Sequence, residues 1–268
     1  ETYMDAYLED PSIGEMGVEY TLSNLQDVQL SDAEFERLKQ YCDEQAIEFL
    51  CSPWDVPSVA FLETLGVPAY KIGSPDLTNF VLLEAVLATD KPILLSTGMA
   101  DESEIERSVA FLRDRGATFM LFHCRSTYPA PFHNLDLRFM RSLMDQYDVP
   151  VGYSGHERGI AVSTAAVAMG AVERHITLAR DMQGPDHAAS LGPGGIRKLV
   201  RDVRAFEESL GSSRRYMSRG EYNNRVALAK CLVAAEEIDA GTTIGREMLT
   251  ARSPAKGISP QHLYDVVG

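Results

Sequence analysis

Val151–Leu191 reads VGYSGHERGIAVSTAAVAMGAVERHITLARDMQGPDHAASL, and the fold class is decided here. A short apolar strand, Val151–Ser154, runs into His156. An Ala/Val-rich helix follows over Gly159–Met169, and a second strand, Val172–Leu178, carries Glu173 and His175. The cluster Gly184-Pro185-Asp186-His187 sits in the loop beyond. A strand, a helix and a second strand form a βαβ unit, which returns the chain to the same edge of a parallel sheet, so groups at the two strand ends converge. Two imidazoles brought together this way can bind a borderline divalent metal and leave positions open for substrate oxygens. A pair of hydrogen-bonded polar residues at a strand end is the plainer alternative.

Upstream, the same alternation repeats. Ile47–Cys51, Ala69–Gly73, Ile93–Leu95 and Met120–Cys124 read as strands, and Pro57–Leu65, Phe80–Thr89, Glu102–Arg115 and Leu137–Tyr147 as helices. Ser31-Asp32-Ala33-Glu34 is a capping box that opens a helix to about Glu44, with Phe35, Leu38 and Tyr41/Cys42 on one face. Gly194–Leu210 is a closing helix. The strands lack polar alternation, as expected when both faces of a parallel sheet are covered by helices. Nearly every strand runs into a small or polar residue: Ser52, Ser74, Ser96, Ser126, Ser154, then His175. An open sheet gathers its ligand at one switch point, whereas chemistry at all strand ends is the barrel pattern. The expectation is an α/β fold of the TIM (β/α)8 type. Six strand–helix units are visible where eight are needed, so either the first two units lie upstream of Glu1 or the sheet does not close. Glu1–Leu30 has no clear period and suits an irregular extension. The division expected is a barrel domain over 1–212, a polar linker over 213–225, and a small β-rich module over 226–268. In that module Leu228–Ala234 reads as a strand.

The formal net charge is −14 over 268 residues, which disfavours nucleic acid as a partner because phosphate backbones need a basic face. Lysine is confined to Lys39, Lys71, Lys91, Lys198, Lys230 and Lys256; such an acid-rich, lysine-poor surface suits a high-salt source. A chain this acidic that binds an anion must gather its few cations, or a metal, at one place. No apolar run is long enough for a membrane span. Cys42, Cys51, Cys124 and Cys231 lie far apart without metal-type spacing, so reduced thiols and a cytoplasmic location are expected. Lys71 sits in the apolar run Tyr70–Ser74, and a buried ammonium must meet an anion, either a structural carboxylate or a ligand. With Ser52, Ser74, Ser96 and Ser154 around one rim it makes a phosphate or carboxylate cradle. No Ser/His/Asp order or P-loop glycine pattern is present, which disfavours a hydrolase triad and nucleotide binding. His123 reads as a buried strand residue and His187 as a structural one, while His133 and His262 carry no signal.

Lys71-Ile72-Gly73-Ser74, Leu95-Ser96-Thr97-Gly98-Met99, His123-Cys124-Arg125-Ser126-Thr127-Tyr128-Pro129, Gly152-Tyr153-Ser154-Gly155-His156-Glu157 and Glu173-Arg174-His175-Ile176-Thr177-Leu178 follow one another, with Gly184-Pro185-Asp186-His187 after them. In this order they resemble the sialic acid synthases, which make N-acetylneuraminate or its 9-phosphate. The resemblance spans essentially Ser31 to Gly268. It implies an eight-fold barrel followed by a small antifreeze-like (SAF) domain from about Val226. It also implies a homodimer in which the SAF domain of one subunit lids the barrel of the other. The implied reaction is a transferase condensation of phosphoenolpyruvate with N-acetylmannosamine or its 6-phosphate. It would be assisted by a divalent metal, typically Mn2+, with Mg2+ or Co2+ as alternatives.

Carried over by position, the resemblance implies His156 and His175 as metal ligands. Ser52, Lys71, Ser74, Ser96, Ser126 and Ser154 would hold phosphoenolpyruvate. Tyr128 and Asp186 would contact the sugar, and Arg252 would reach it from the partner's SAF domain. Asp76 stands where a bacterial member has a glutamate, and Glu173 would orient water near the metal. Three departures stand beside these. The family's first two strands, with a catalytic glutamate and a Lys-x-Gln pair, have no counterpart. The lead-in Gly170-Ala171-Val172-Glu173 is about two residues shorter than the family's, which would shift His175. The SAF domain ends early. The alternatives are a synthase for another nonulosonic acid, legionaminic or pseudaminic, and a non-catalytic anion- or sugar-binding remnant.

Overall fold

Five short apolar runs pair into one parallel sheet whose order follows the chain: β1 (Tyr70–Ile72), β2 (Ile93–Ser96), β3 (Phe119–Cys124), β4 (Val151–Gly155) and β5 (Val172–Arg174). The computed structural model describes residues 29–268 apart from positions 183 and 185; nearly all of the irregular extension expected before Leu30 lies outside the described residues. Helices precede and connect the strands: α1 (Asp32–Glu44), α2 (Val56–Leu65), α3 (Phe80–Leu87), α4 (Glu102–Asp114), α5 (Arg138–Tyr147), α6 (Ala161–Ala166) and α7 (Pro193–Leu210). Their starts follow local chemistry. Asp55, Asn79 and Asp101 each accept a hydrogen bond from a free main-chain N–H of the first turn of α2, α3 and α4. At α1 the Ser31 main-chain N–H and hydroxyl both donate to Glu34, at 2.8 and 2.7 Å.

Each strand lies beside its sequence predecessor with no reversal of order, so the sheet is a half-barrel rather than a doubly wound sheet with a switch point. One face belongs to the core. Tyr70, Ile72, Ile93, Leu95, Leu121, Val151 and Tyr153 are buried there with Leu62, Leu83, Val86, Val109, Leu112, Met140 and Leu143 of the helices. Burial of such side chains stabilises by about 1.5–3 kcal/mol each. The register then dictates the other face. Lys71 pairs Leu94, Ser96 pairs Phe122, Cys124 pairs Ser154, and Ser154 pairs Glu173. Paired residues of parallel strands point the same way, so Lys71, Ser96, Phe122, Cys124, Ser154 and Glu173 share the face away from the helices.

Ile47–Cys51, expected as a strand, has no regular structure and no ladder partner among the described residues. Phe49 and Cys51 pack on the core while Ile47 and Leu50 are exposed. Apolar composition does not make a strand unless a neighbour takes its N–H and C=O groups. The second strand of the opening stretch stops at Arg174 instead of Leu178, because its partner β4 ends at the Gly155–Arg174 pair. Beyond it a single parallel bridge joins Ile176 to Leu191, and Leu178 is exposed.

The chain divides into two compact units after Leu210. The second contains α8 (Arg219–Leu228), β6 (Cys231–Ala234), β7 (Leu249–Arg252) and the single-turn α9 (Leu263–Val266). β6 and β7 pair antiparallel from Cys231–Arg252 to Ala234–Leu249. Most of the polar stretch expected as linker is therefore helical. Its signal was Ser218-Arg219-Gly220-Glu221, a capping box in which Glu221 N–H donates to the Ser218 hydroxyl at 3.3 Å and Ser218 N–H to Glu221 at 3.0 Å. All four cysteines are free, and no helix among the described residues is long and apolar enough to cross a membrane.

β4 and β5 approach so closely that a Cβ on Gly170 would lie 1.9 Å from the Val151 carbonyl oxygen. Gly170→Ala is expected to destabilise the first unit by about 1–3 kcal/mol. Thermal unfolding followed by circular dichroism checks this, and an unchanged midpoint would contradict the close approach.

Candidate active site

The face away from the helices carries a continuous set of polar groups. Lys71, on β1, is largely buried, and its ammonium donates to the Ser96 hydroxyl at 2.7 Å and lies 3.4 Å from the Glu173 carboxylate. Its charge is thus met from β2, the neighbouring strand, and from β5, at the far end of the sheet.

At the strand ends a second cluster forms around Gly98. Its main-chain N–H donates to Ser74 Oγ at 3.1 Å. Ser74 Oγ also donates to Cys124 Sγ at 3.5 Å, and Cys124 Sγ lies 3.5 Å from Ser126 Oγ. A Cβ on Gly98 would be 2.4 Å from Ser126 Oγ, 2.7 Å from Ser74 Oγ and 3.0 Å from Cys124 Sγ. Hydroxyls from the loops after β1 and β3, with the Cys124 thiol, therefore converge on Gly98. Such a group of polar atoms could take an anionic oxygen, with the Lys71–Ser96 pair on the same face.

His156, just past β4, is buried and His175, just past β5, is half-buried. Their ring centroids are 5.0 Å apart with planes at 76°. The Tyr128 ring packs against both, at 4.2 Å from His156 and 5.6 Å from His175. His156 Nδ1 lies 2.8 Å from the Arg125 main-chain carbonyl. A carbonyl only accepts, so Nδ1 carries the proton and Nε2 keeps the lone pair that a metal would take. His175 Nδ1 lies 3.6 Å from Asp186 Oδ2, and Asp186 Oδ1 is buried without a hydrogen-bond partner.

Protonation follows the surroundings. Burial lowers the His175 pKa, helped by His156 and opposed by Asp186 and Glu173, which favours the neutral, ligating form. For His156 burial also works downward, but the Cys124 thiol, the Arg125 carbonyl and the Glu173 carboxylate outweigh it and raise the ring. Burial raises the Cys124 thiol, yet contact with His156 and the two serine hydroxyls brings it below its ordinary value.

No cluster of three or more His, Cys, Asp or Glu is poised for a metal among the described residues. The donor set fits one nonetheless: two adjacent imidazoles, that of His156 with its tautomer fixed by the Arg125 carbonyl, and an orphaned carboxylate oxygen on Asp186 beside His175. The shortened lead-in at Gly170 leaves the two rings adjacent. Other expected residues stand apart. Asp76 is buried in the turn after β1 and accepts from Asn79 at 2.8 Å. Ser52 is half-buried between α1 and α2, with no hydrogen bond to the cluster among the described residues. Arg252 is exposed on β7 of the second unit. His187 bonds Thr177 at 2.7 Å, and His123 is buried against the Leu135 carbonyl at 2.6 Å, both in structural roles. Reading the sequence missed Cys124 as a cradle member, and it missed the ion pair behind the histidines, Glu157 with Arg174. The available signal was two opposite charges, each adjacent to a site histidine.

The model of the NeuB family matches residues 5–215 and that of the SAF domain residues 229–268. The chain is 38% identical over 254 residues to N,N'-diacetyllegionaminic acid synthase of Campylobacter jejuni, spanning 92% of this chain and 76% of that one. It is 37% identical over 245 residues to N-acetylneuraminate-9-phosphate synthase of Homo sapiens, spanning 90% and 68%. The crystal structure of N-acetylneuraminic acid (sialic acid) synthetase from Leptospira borgpetersenii superposes with a TM-score of 0.67 at 34% identity, covering 73% of this chain and 70% of that one. A truncated 3-deoxy-D-arabino-heptulosonate 7-phosphate synthase from Thermotoga maritima superposes at 0.60 with 22% identity, a likeness of fold alone.

Gly98→Ala would push a methyl group into the three converging atoms. Its affinity for phosphoenolpyruvate, measured by titration calorimetry, is expected to fall about tenfold or more; parent-like affinity would show that the cradle does not hold the anion.

Proposed function

Since this chain belongs to the NeuB family and ends in a SAF domain, we propose that it condenses phosphoenolpyruvate with N-acetylmannosamine or its 6-phosphate. The products are N-acetylneuraminate or its 9-phosphate, and inorganic phosphate. The observation that carries the reading is the pairing, on one face of the sheet, of a Lys71-centred anion cradle with two adjacent imidazoles. Synthesis of a legionaminic-type acid is the second reading, favoured by identities of 38% and 37% that do not separate the two kinds of relative. The fold reading that goes with this function is a (β/α)8 barrel to which the five parallel strands contribute consecutively, in a cytoplasmic homodimer.

In this mechanism Lys71 and the hydroxyls of Ser74, Ser96, Ser126 and Ser154 bind phosphoenolpyruvate, with the Gly98 N–H holding the Ser74 hydroxyl in place. A preformed cradle of this kind supplies orientation without reorganisation at the moment of reaction. Tyr128 and Asp186 hold the open-chain sugar beside the histidines, and Arg252 of the partner subunit closes over it. His156 and His175 would hold a divalent metal, manganese by preference, which supplies Lewis-acid polarisation of the sugar aldehyde. C3 of phosphoenolpyruvate bonds to the aldehyde carbon, water adds at C2, and the C2–O bond breaks to release phosphate. Glu173, within 3.4 Å of Lys71, orients that water, and Asp76 stands as the further carboxylate at the end of β1.

A phosphate-release assay with phosphoenolpyruvate and a panel of hexosamines tests the reading. N-acetylmannosamine or its 6-phosphate is the expected substrate, and a sugar of the legionaminic or pseudaminic type turned over in its place would move the assignment to the second reading. Chelation is expected to abolish turnover and manganese to restore it. The His156→Ala, His175→Ala double variant is expected to bind manganese about 100-fold more weakly; binding equal to the parent's would remove the histidines from the metal site. Arg252→Ala is expected to raise the KM for the sugar more than that for phosphoenolpyruvate, whereas equal changes in both would contradict the lid.

A further inference from the structure

Behind the two histidines, on the helix side of the sheet, lies a buried ion pair that the reaction does not use. Glu157 and Arg174 have side chains 1% exposed, and Arg174 Nη1 donates to Glu157 Oε1 at 2.8 Å. The carboxylate is otherwise fully engaged: the Tyr153 hydroxyl donates to Oε2 at 2.7 Å and the Ser163 hydroxyl of α6 to Oε1 at 2.8 Å. The guanidinium spreads further. Nη1 also reaches the Gly159 carbonyl at 2.9 Å and Ser163 Oγ at 2.8 Å, and Nη2 the carbonyls of Glu157 at 2.6 Å and Ala189 at 3.2 Å. There is no slack, since a Cβ on Gly155 would lie 2.7 Å from the Tyr153 ring, 2.8 Å from Glu157 Oε2 and 3.0 Å from Arg174 Cδ.

The covalent neighbours give this pair its meaning. Glu157 follows His156, and Arg174 precedes His175. Ala189 belongs to the turn that Asp186 opens, where the Ala189 and Ser190 N–H groups donate to the Asp186 carbonyl. One guanidinium therefore ties together the backbone carrying His156, the strand carrying His175 and the turn carrying Asp186. Buried ion pairs are poor sources of stability compared with apolar groups of the same shape, whereas outer partners that fix ligand orientation tune metal sites strongly.

We propose that the Glu157–Arg174 pair is a clamp that sets the separation and angle of the His156 and His175 rings. Both are positioning residues acting from the opposite face of the sheet. The inference rests on the metal reading of the histidines only for what their spacing accomplishes.

Arg174→Lys keeps the charge but cannot span the three main-chain carbonyls from one ammonium. In the full chain, manganese affinity measured by titration calorimetry is expected to fall about tenfold or more. The kcat is expected to fall with it, while the KM for phosphoenolpyruvate stays within about twofold because most of its cradle, Lys71, Ser74, Ser96 and Ser126, stands on β1 to β3 and the loops after them. A merely structural role would instead lower all signals together with the folded fraction. A cooperatively folded Arg174→Lys protein with parent-like manganese affinity overturns the clamp. If that variant does not fold, Tyr153→Phe decides: removal of one hydroxyl from Glu157 is expected to weaken manganese about threefold, and parent-like affinity overturns the proposal. If the parent itself binds no manganese, the metal reading fails and the clamp is judged by imidazole NMR. Shifted resonances of both His156 and His175 in folded Arg174→Lys support it, and unmoved ones overturn it.

Discussion

The parallel pairing of β4 with β5 is the constraint on which the site depends. Three residue pairs, Tyr153 with Val172, Ser154 with Glu173 and Gly155 with Arg174, decide which groups can meet. A slip of one residue would exchange the faces, turning Glu173 toward the helices and Arg174 toward the open side. The glycine contacts keep the two strands from separating. Gly170 lets the start of β5 press on the Val151 carbonyl, and Gly155 lets Glu157 and Arg174 close behind the sheet. The histidines need no contact with each other to be neighbours; they inherit their adjacency from this register.

Electrostatics works within the same frame. In a chain of net charge −14, Lys71 lies between a hydroxyl and a carboxylate, so in the proposed cradle its ammonium is held before any anion arrives. Main-chain N–H and serine hydroxyls add donors without adding charge, so the cradle does not need a basic surface. The imidazoles sit at the other end of this arrangement, one raised by the thiol and carboxylate beside it and the other lowered by burial. Neutral His175 suits coordination, and Glu173 serves both regions at once.

Much of this was legible in the amino-acid sequence because parallel strands and their ends leave local signs. Short runs such as Ile93–Ser96 and Val151–Gly155 carry no charge along their length, and the polar residue that follows marks the rim; the helices cover one face only, and the other carries the polar groups. His156 and His175 could be placed side by side from the βαβ rule alone. Where the sign is not local, the sequence misleads. Ile47–Cys51 has the composition of a strand but no neighbour to bond. The helix Arg219–Leu228 hides in a polar stretch because its apolar stripe is weak and only Ser218 and Glu221 announce it. The cradle around Gly98 depends on Ser74, Cys124 and Ser126, residues up to 52 positions apart, coming within a few ångströms. The Glu157–Arg174 pair has a local sign in its two histidine neighbours, but its burial under α6 has none.

A sheet with chemistry on one side and a clamp on the other divides its residues by parity. Along β4, Ser154 faces the ligand side while Tyr153 faces the clamp; along β5, Glu173 and Arg174 divide likewise. The two sets answer to separate pressures. Residues of the first parity, and the loops that extend from them, can change as the sugar changes, one at a time. Residues of the second are tied to one another, because Glu157 is held by Arg174, Tyr153 and Ser163 at once. Diversification within such a scaffold is therefore channelled: new substrates are reached by editing one side of each strand while the other side stays as it is.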